Sequence, residues 1–285
     1  MLNSTRAHAN AISSRAREWA DRQDPGTLRG VAVDGWRRYR MVDGPLQSAL
    51  LSLYMLIAII PALLVMEEYL NSNPAALTNQ LVHHYSLNHS TAGLLRDVLV
   101  DDRTHKLGSA LFAIAGALFF GLNLGRVLQL VHARAWKLDP RARQADLGLY
   151  SIVLLAVYGL LLLLLLTLTE LHGLGPAWAR ILLDLGFLTL LVVFFVWAPW
   201  LLTHRLLKAR DLVPGAVLTA LGLVVLLIAS SFVMEFWVNL YARDYGGLGV
   251  VLALFFWLLF GSGLIVWAAS ISPALAERRA RRNAA

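Results

Sequence analysis

Residues 154–168 read LLAVYGLLLLLLLTL, an unbroken apolar run without a charge. A hydrocarbon layer about 30 Å thick needs roughly 20 apolar residues of helix to cross it. Extended to its flanks, this run predicts a membrane span over Leu147–Leu171. The same reading, carried outward, predicts five more: Pro45–Tyr69, Leu107–Val131, Trp178–Thr203, Val213–Tyr241 and Gly246–Ser272. The runs are too long and too uniformly apolar for barrel strands, whose residues alternate. In lipid every peptide group must be bonded internally, so helices are the spanning form left. The fold class predicted is all-α: a polytopic membrane bundle of six transmembrane helices. Composition agrees, because 58% of the 285 residues are apolar, against about 45–50% in soluble domains.

Charge sets the expected orientation. Arg6, Arg15, Arg17, Arg22, Arg29, Arg37, Arg38 and Arg40 precede the first span. Arg126, at a helix edge, joins Arg134, Lys137, Arg141 and Arg143 at the second connection. Arg205, Lys208 and Arg210 occupy the fourth, and Arg278, Arg279, Arg281 and Arg282 the tail. Together these are 20 of the 25 basic residues, all in one phase of the topology. Basic residues stay on the cytoplasmic side of short loops, which predicts N-in, C-in and an even helix count. The net charge of +7 is thereby read as attraction to anionic lipid headgroups, with no nucleic-acid partner implied.

Three regions follow. Residues 1–44 form a cytoplasmic or interfacial segment, 45–272 the transmembrane domain, and 273–285 a basic cytoplasmic tail. The first 44 residues contain no apolar core of signal-peptide length, so the spans themselves are expected to direct insertion. Short amphipathic helices are expected at Ile12–Asp21, with Trp19 near the headgroups, and in the external connection 71–106. There Ala76, Leu77, Leu81 and Val82, then Leu94, Leu95 and Val98, recur at helical spacing. Trp36-Arg37-Arg38-Tyr39-Arg40 interleaves aromatics and cations as a membrane-surface elbow does.

Few residues could carry chemistry. The chain has no cysteine, which excludes disulfides and thiolate sites. No Walker, Rossmann, nucleophile-elbow or zinc pattern occurs. His83, His84, His89 and His105 share the external connection without metal-ligand spacing, and adjacent Glu67 and Glu68 point to different helix faces. No metal, cofactor or catalytic residue is expected, and the protein is read as a non-enzyme. Ionisable groups inside spans are functional candidates because they are costly there. Ser231, Glu235 and Asn239 are spaced by four and share a face, expected to look into the bundle or a wet cavity. Asn123 and Arg126 share a face of the second span. These five are the candidate polar lining for a substrate headgroup. The plainer alternatives are an interhelical hydrogen-bond cluster for the first set and a snorkelling arginine for the second. Pro61 and Pro199 lie inside spans and are expected to kink them. Ala117, Gly121 and Gly125 form a small-residue stripe suited to close helix packing.

The order of these features resembles the YihY/BrkB family of bacterial inner-membrane proteins. The similarity rests on Ser48-Ala49-Leu50-Leu51-Ser52-Leu53 with Ile60-Pro61, on Gly121-Leu122-Asn123 with Arg126, on Leu212-Val213-Pro214-Gly215-Ala216, on Tyr245-Gly246-Gly247-Leu248-Gly249 and on Trp257. It covers roughly Trp36 to Ala276. Where that family carries a Gly-Ala-Glu-Leu-Asn-type run, this chain has Ala268-Ala269-Ser270-Ile271-Ser272, so a role for that acid does not transfer. The resemblance implies a multi-pass protein of the bacterial inner membrane. It also brings a history of misassignment as a ribonuclease, for which this chain has no metal-binding carboxylate cluster. Links of some members to envelope lipid export imply a transporter or flippase-like protein for an amphipathic, anionic lipid or lipid-linked substrate. The alternative is a non-catalytic adaptor that works with a second copy or an envelope protein. An intramembrane enzyme ranks below both.

The topology has a direct test. A cysteine introduced near His89 should be labelled by an impermeant thiol reagent from the periplasmic side, and one at Ala285 should not. The reverse pattern would overturn the orientation.

Overall fold

The computed structural model describes residues 27–70, 106–138, 147–166 and 177–284. Seven helices run through them: α1 Leu28–Met41, α2 Gly44–Leu70, α3 Lys106–Ala135, α4 Leu147–Leu166, α5 Ala177–Leu202, α6 Ala209–Tyr245 and α7 Gly247–Ala284. No strand occurs among the described residues. Each of the six predicted apolar runs falls on one helix, α2 to α7. By length and composition, three stretches can cross a membrane: Ile181–Leu202, Ala209–Tyr245 and Leu248–Asn283. A fourth is available if the bent pair Arg29–Met41 and Gly44–Ala58 counts as one span. Ile12–Asp21 and the external connection, with its histidines, lie outside the described residues, as do the side chains of Pro61, Glu67 and Glu68.

The elbow before the first span is real and sharp. Thr27 caps α1, its hydroxyl accepting from the Gly30 N–H at 3.1 Å. Two residues after Met41 the chain turns by 66° into α2. Asp43 makes the turn with φ 55°, a left-handed conformation that a short polar side chain tolerates. Gly44 follows because a Cβ there would collide with the Tyr39 ring. Trp36 stacks on Tyr39 at 5.6 Å.

α7 is the axis of the bundle. It packs against α6, α2, α1 and α3, while α3 also carries α2 and α4, and α5 leans on α6. Small residues set the approach of α6 to α7. A Cβ on Gly215 would lie 2.7 Å from Ser272, and one on Gly249 would strike the Tyr241 carbonyl of α6. Interfaces in lipid use such residues because van der Waals contact must supply what hydrophobic exclusion does not. The main core joins Leu51 of α2, Leu124, Leu128 and Val131 of α3, Val153 of α4, Leu202 of α5 and Val266 of α7.

Two helices outrun their predicted ends. α6 begins at Ala209, so Pro214 sits in its second turn and not at its start. α7 continues past Ser272 and Pro273 to Ala284. The apolar run stops there, but Ala, Glu and Arg are strong helix formers and carry the helix on. Pro199 lies in the last turn of α5, where Thr203 closes the end by donating from Oγ1 to the Pro199 carbonyl at 2.7 Å.

One end of the bundle gathers the basic segments. Buried Arg38 of α1 donates to Asp34 at 2.8 Å, to Glu277 of α7 at 2.9 Å and to the Ala135 carbonyl of α3 at 3.3 Å. Burial works against its charge, but Asp34 and then Glu277 outweigh it and hold the guanidinium pKa above its usual value. Arg134 reaches Asp43 at 3.3 Å, Gln129 donates to the Leu202 carbonyl at 2.9 Å, and Ser272 reaches the Asp211 carbonyl at 3.4 Å. The ends of α1, α3, α5 and α7 and the start of α6 thus share one level, called here the basic end. Aromatic rings crowd the opposite end of the α6–α7 hairpin, with Trp237 against Trp257 at 6.4 Å and Tyr241 against Phe256 at 6.0 Å.

Two substitutions test this packing. Arg38→Ala should destabilise the protein by about 1–3 kcal/mol, below the figure for a fully buried pair because both carboxylates stay partly hydrated. Thermal unfolding in detergent reads this, and an unchanged midpoint would show the clasp to be idle. Gly249→Ala should cost about 1–3 kcal/mol through overpacking against the Tyr241 backbone, read the same way.

Candidate functional site

The five predicted lining residues separate onto two faces. On α3 the residues that look away from the bundle are Phe119, Asn123, Arg126, Leu130 and Arg134, spaced by four, three, four and four. Phe119, Arg126 and Arg134 are exposed, and Asn123 and Leu130 are half-buried. Asn123 donates to the Phe119 carbonyl one turn back at 2.8 Å. The opposite face of α3 is closed, because Gly121 and Gly125 admit Leu154 and Tyr150 of α4. Tyr150 then hydrogen-bonds the Gln129 side chain. The predicted small-residue stripe is therefore a packing seam, and it turns Arg126 outward.

Depth follows from helix geometry. Ala135 meets Arg38 at the basic end. Arg126 is nine residues earlier, about 13 Å further into the bundle at 1.5 Å per residue. It makes no ion pair with a described residue, whereas Arg134 below it is paired with Asp43. An arginine side chain spans part of that depth and brings its guanidinium toward headgroup level, with its stem against hydrocarbon.

On α6 the outward stripe is Val217, Leu221, Val225, Ile228, Phe232 and Phe236, all exposed. Ser231 and Glu235 belong to it and are exposed too. Ser231 returns its hydroxyl proton to the Ile228 carbonyl at 2.7 Å, and Asn239 is half-buried. The polar face expected to look inward thus looks out of the bundle. The buried stripe of α6 is Leu212, Ala216, Ala220, Met234, Val238 and Ala242, on a helix that packs against both α7 and α5. A tight apolar seam left no room for a carboxylate. Glu235 lies 24 residues from Asp211, about 36 Å along the axis, which puts it beside the aromatic end of the hairpin.

Inside the bundle lies a small cavity that no sequence pattern announced. His132 of α3, Phe195 of α5, Thr219 of α6 and Ser272 of α7 are among its lining residues, with about 10 Å³ open to the centre of a water molecule. That is room for one water. His132 is buried, and its Nδ1 lies 2.8 Å from the Leu128 carbonyl. A carbonyl only accepts, so Nδ1 carries the hydrogen and Nε2 is left as the acceptor. The signal available in the sequence was a lone histidine in the last turn of an apolar span. Among the described residues no three His, Asp or Glu side chains gather as a metal site.

Residues 35–285 match the family model for virulence factor BrkB. The chain belongs to the BrkB family. A Bacillus subtilis (strain 168) protein named putative ribonuclease-like protein YfkH is 24% identical over 278 residues, covering 85% of this chain and 94% of that protein. No solved structure matches the chain. Family membership and the apolar helices together make this a membrane protein. The matched region begins inside α1, so the elbow and the clasp at Arg38 belong to the family domain.

Proposed function

We propose that this BrkB-family protein is a six-span, non-enzymatic protein of the bacterial inner membrane, with the basic end in the cytoplasm, that handles an anionic envelope lipid at its lateral surface. The observation that carries this reading is Arg126. An exposed cation without a described partner, about 13 Å above the basic end, sits where the phosphate of a lipid can meet it. Asn123 lies one turn deeper and Arg134 lies below, so donors follow one another along a single edge of α3, with Lys137 in the turn just past its end. Such a ladder favours a headgroup that moves along the protein's side while its tails stay in lipid. No nucleotide motif is present to drive it, so the driving force is a gradient, a partner or mass action. The second set, Ser231, Glu235 and Asn239, would meet headgroups of the other leaflet. Exposed Trp36, Arg37 and Arg40 on α1 suit anionic headgroups on the cytoplasmic surface.

One observation favours the adaptor reading: the α6–α7 and α3–α4 seams are closed, and the cavity at His132 has room for no more than one water. A protein of that kind needs no transport path, only a face for a partner.

Reconstitution separates the two. Vesicles containing the protein and a fluorescent anionic phospholipid should show protein-dependent translocation. Arg126→Ala should reduce the rate about tenfold, the loss of one charge-assisted contact, and Glu235→Gln should change it less. Absence of translocation with both anionic and neutral lipids would sink the lipid-handling reading and leave the adaptor.

A further inference from the structure

The buried histidine has no part in the lateral path just described. We propose that His132 is a proton-binding site, and that its protonation loosens the junction of α3 with α5, α6 and α7 at the basic end. The cavity comes first. It lies where four helices meet, and its lining groups able to bond a small polar ligand are His132 Nε2, the Thr219 hydroxyl and the Ser272 hydroxyl. Both hydroxyls already donate, Thr219 to the Gly215 carbonyl at 2.9 Å and Ser272 to the Asp211 carbonyl at 3.4 Å. Each keeps lone pairs free. One water donating to Nε2 and to either one of these oxygens would satisfy the neutral imidazole.

A proton arriving through that water has one place to go, Nε2, since Nδ1 already holds its hydrogen. The product is an imidazolium with no anion beside it. The other residues lining the cavity are Phe195, Leu212, Gly215, Ala216, Thr219, Ile265, Ala269 and Ser272, none of them titratable. The carboxylates at the basic end each have an arginine beside them. Glu277 of α7 and Asp34 of α1 bind Arg38. Arg134 of α3 contacts Asp43, and the Asp211 carboxylate of α6 lies 4.0 Å from Arg210. Arg38, on the Ala135 carbonyl one turn from His132, adds a like charge. A buried charge of this kind is tolerated only if water reaches it. The seam that must part is a tight one, because Gly215 lets Ser272 within 2.7 Å of where a Cβ would stand.

The inference is independent of the lipid reading, and its test uses no lipid. The chain has no native cysteine, so Ala216→Cys places a single thiol in the buried lining. Its labelling by a small methanethiosulfonate is measured in detergent between about pH 8 and about pH 5, the range in which histidine changes charge. Leu206→Cys, at an exposed position, measured in parallel, removes the pH dependence of the thiol itself. The ratio of the two rates should rise as pH falls, by up to about tenfold per unit where one proton is linked to opening. His132→Gln in the Ala216→Cys background should abolish the rise. A flat ratio with His132 present overturns the proposal, as does an equal rise in His132→Gln. If that variant does not fold, the His132-containing protein still decides: a flat ratio overturns the site, and a rise that survives His204→Gln, at the other histidine among the described residues, just past the end of α5, supports it.

Discussion

Inside hydrocarbon there is no water to bond a peptide group, so each apolar run must close its hydrogen bonds within itself. That constraint favours helices along the apolar runs of α2 to α7 before any packing is considered. What it leaves open is how the helices meet, and there the physics changes. Lipid tails are as apolar as leucine, so apolarity alone does not hold helix to helix. Close contact does, and the chain supplies it with glycine and serine: Gly121 and Gly125 against α4, Gly215 and Gly249 across the α6–α7 seam. Polar bonds then fix the ends. Arg38, reaching α3 and α7 at once, ties the elbow to the two helices that the core depends on.

The depth of each element follows from the same frame. With Ala135, Asp211 and Glu277 on one level, distances along the helices become positions across a bilayer. The aromatic rings at the far end of the α6–α7 hairpin stand about one membrane thickness away, where amphipathic rings favour the interface. The basic and aromatic groups therefore gather at opposite ends of the α6–α7 hairpin.

Helices were legible in the sequence because length and apolarity are additive properties of a local window; of the six spans expected, three stretches among the described residues, or four with the bent pair, are long and apolar enough to cross. So was the elbow, since Trp36 to Arg40 carries its amphipathic character within five residues. Facing was not legible. A stripe such as Ser231, Glu235 and Asn239 shows which residues share a side, but not what that side meets. The answer depends on Gly215 and Gly249, which draw the other side of α6 onto α7 and leave the polar stripe outward. His132 escaped notice for a related reason. Its partners come from three other helices, and nothing near it in sequence signals a junction. Helix ends also shifted: hydropathy marks where lipid stops, whereas Ala, Glu and Arg let α7 run on into water.

The outward placement of both polar sets changes what each can do, because exposure has a different meaning at different depths. Glu235 stands near the aromatic end, where a carboxylate is hydrated at little expense and needs no partner. Arg126 stands about 13 Å inside the basic end, where an unpaired cation on a lateral face has only hydrocarbon beside it unless it reaches a phosphate. On the lipid reading proposed above, an amphipathic ligand would supply the missing anion without leaving the bilayer, and a soluble one would have to cross apolar side chains to arrive. Depth, more than the identity of the residue, therefore places the weight of the lateral face on Arg126.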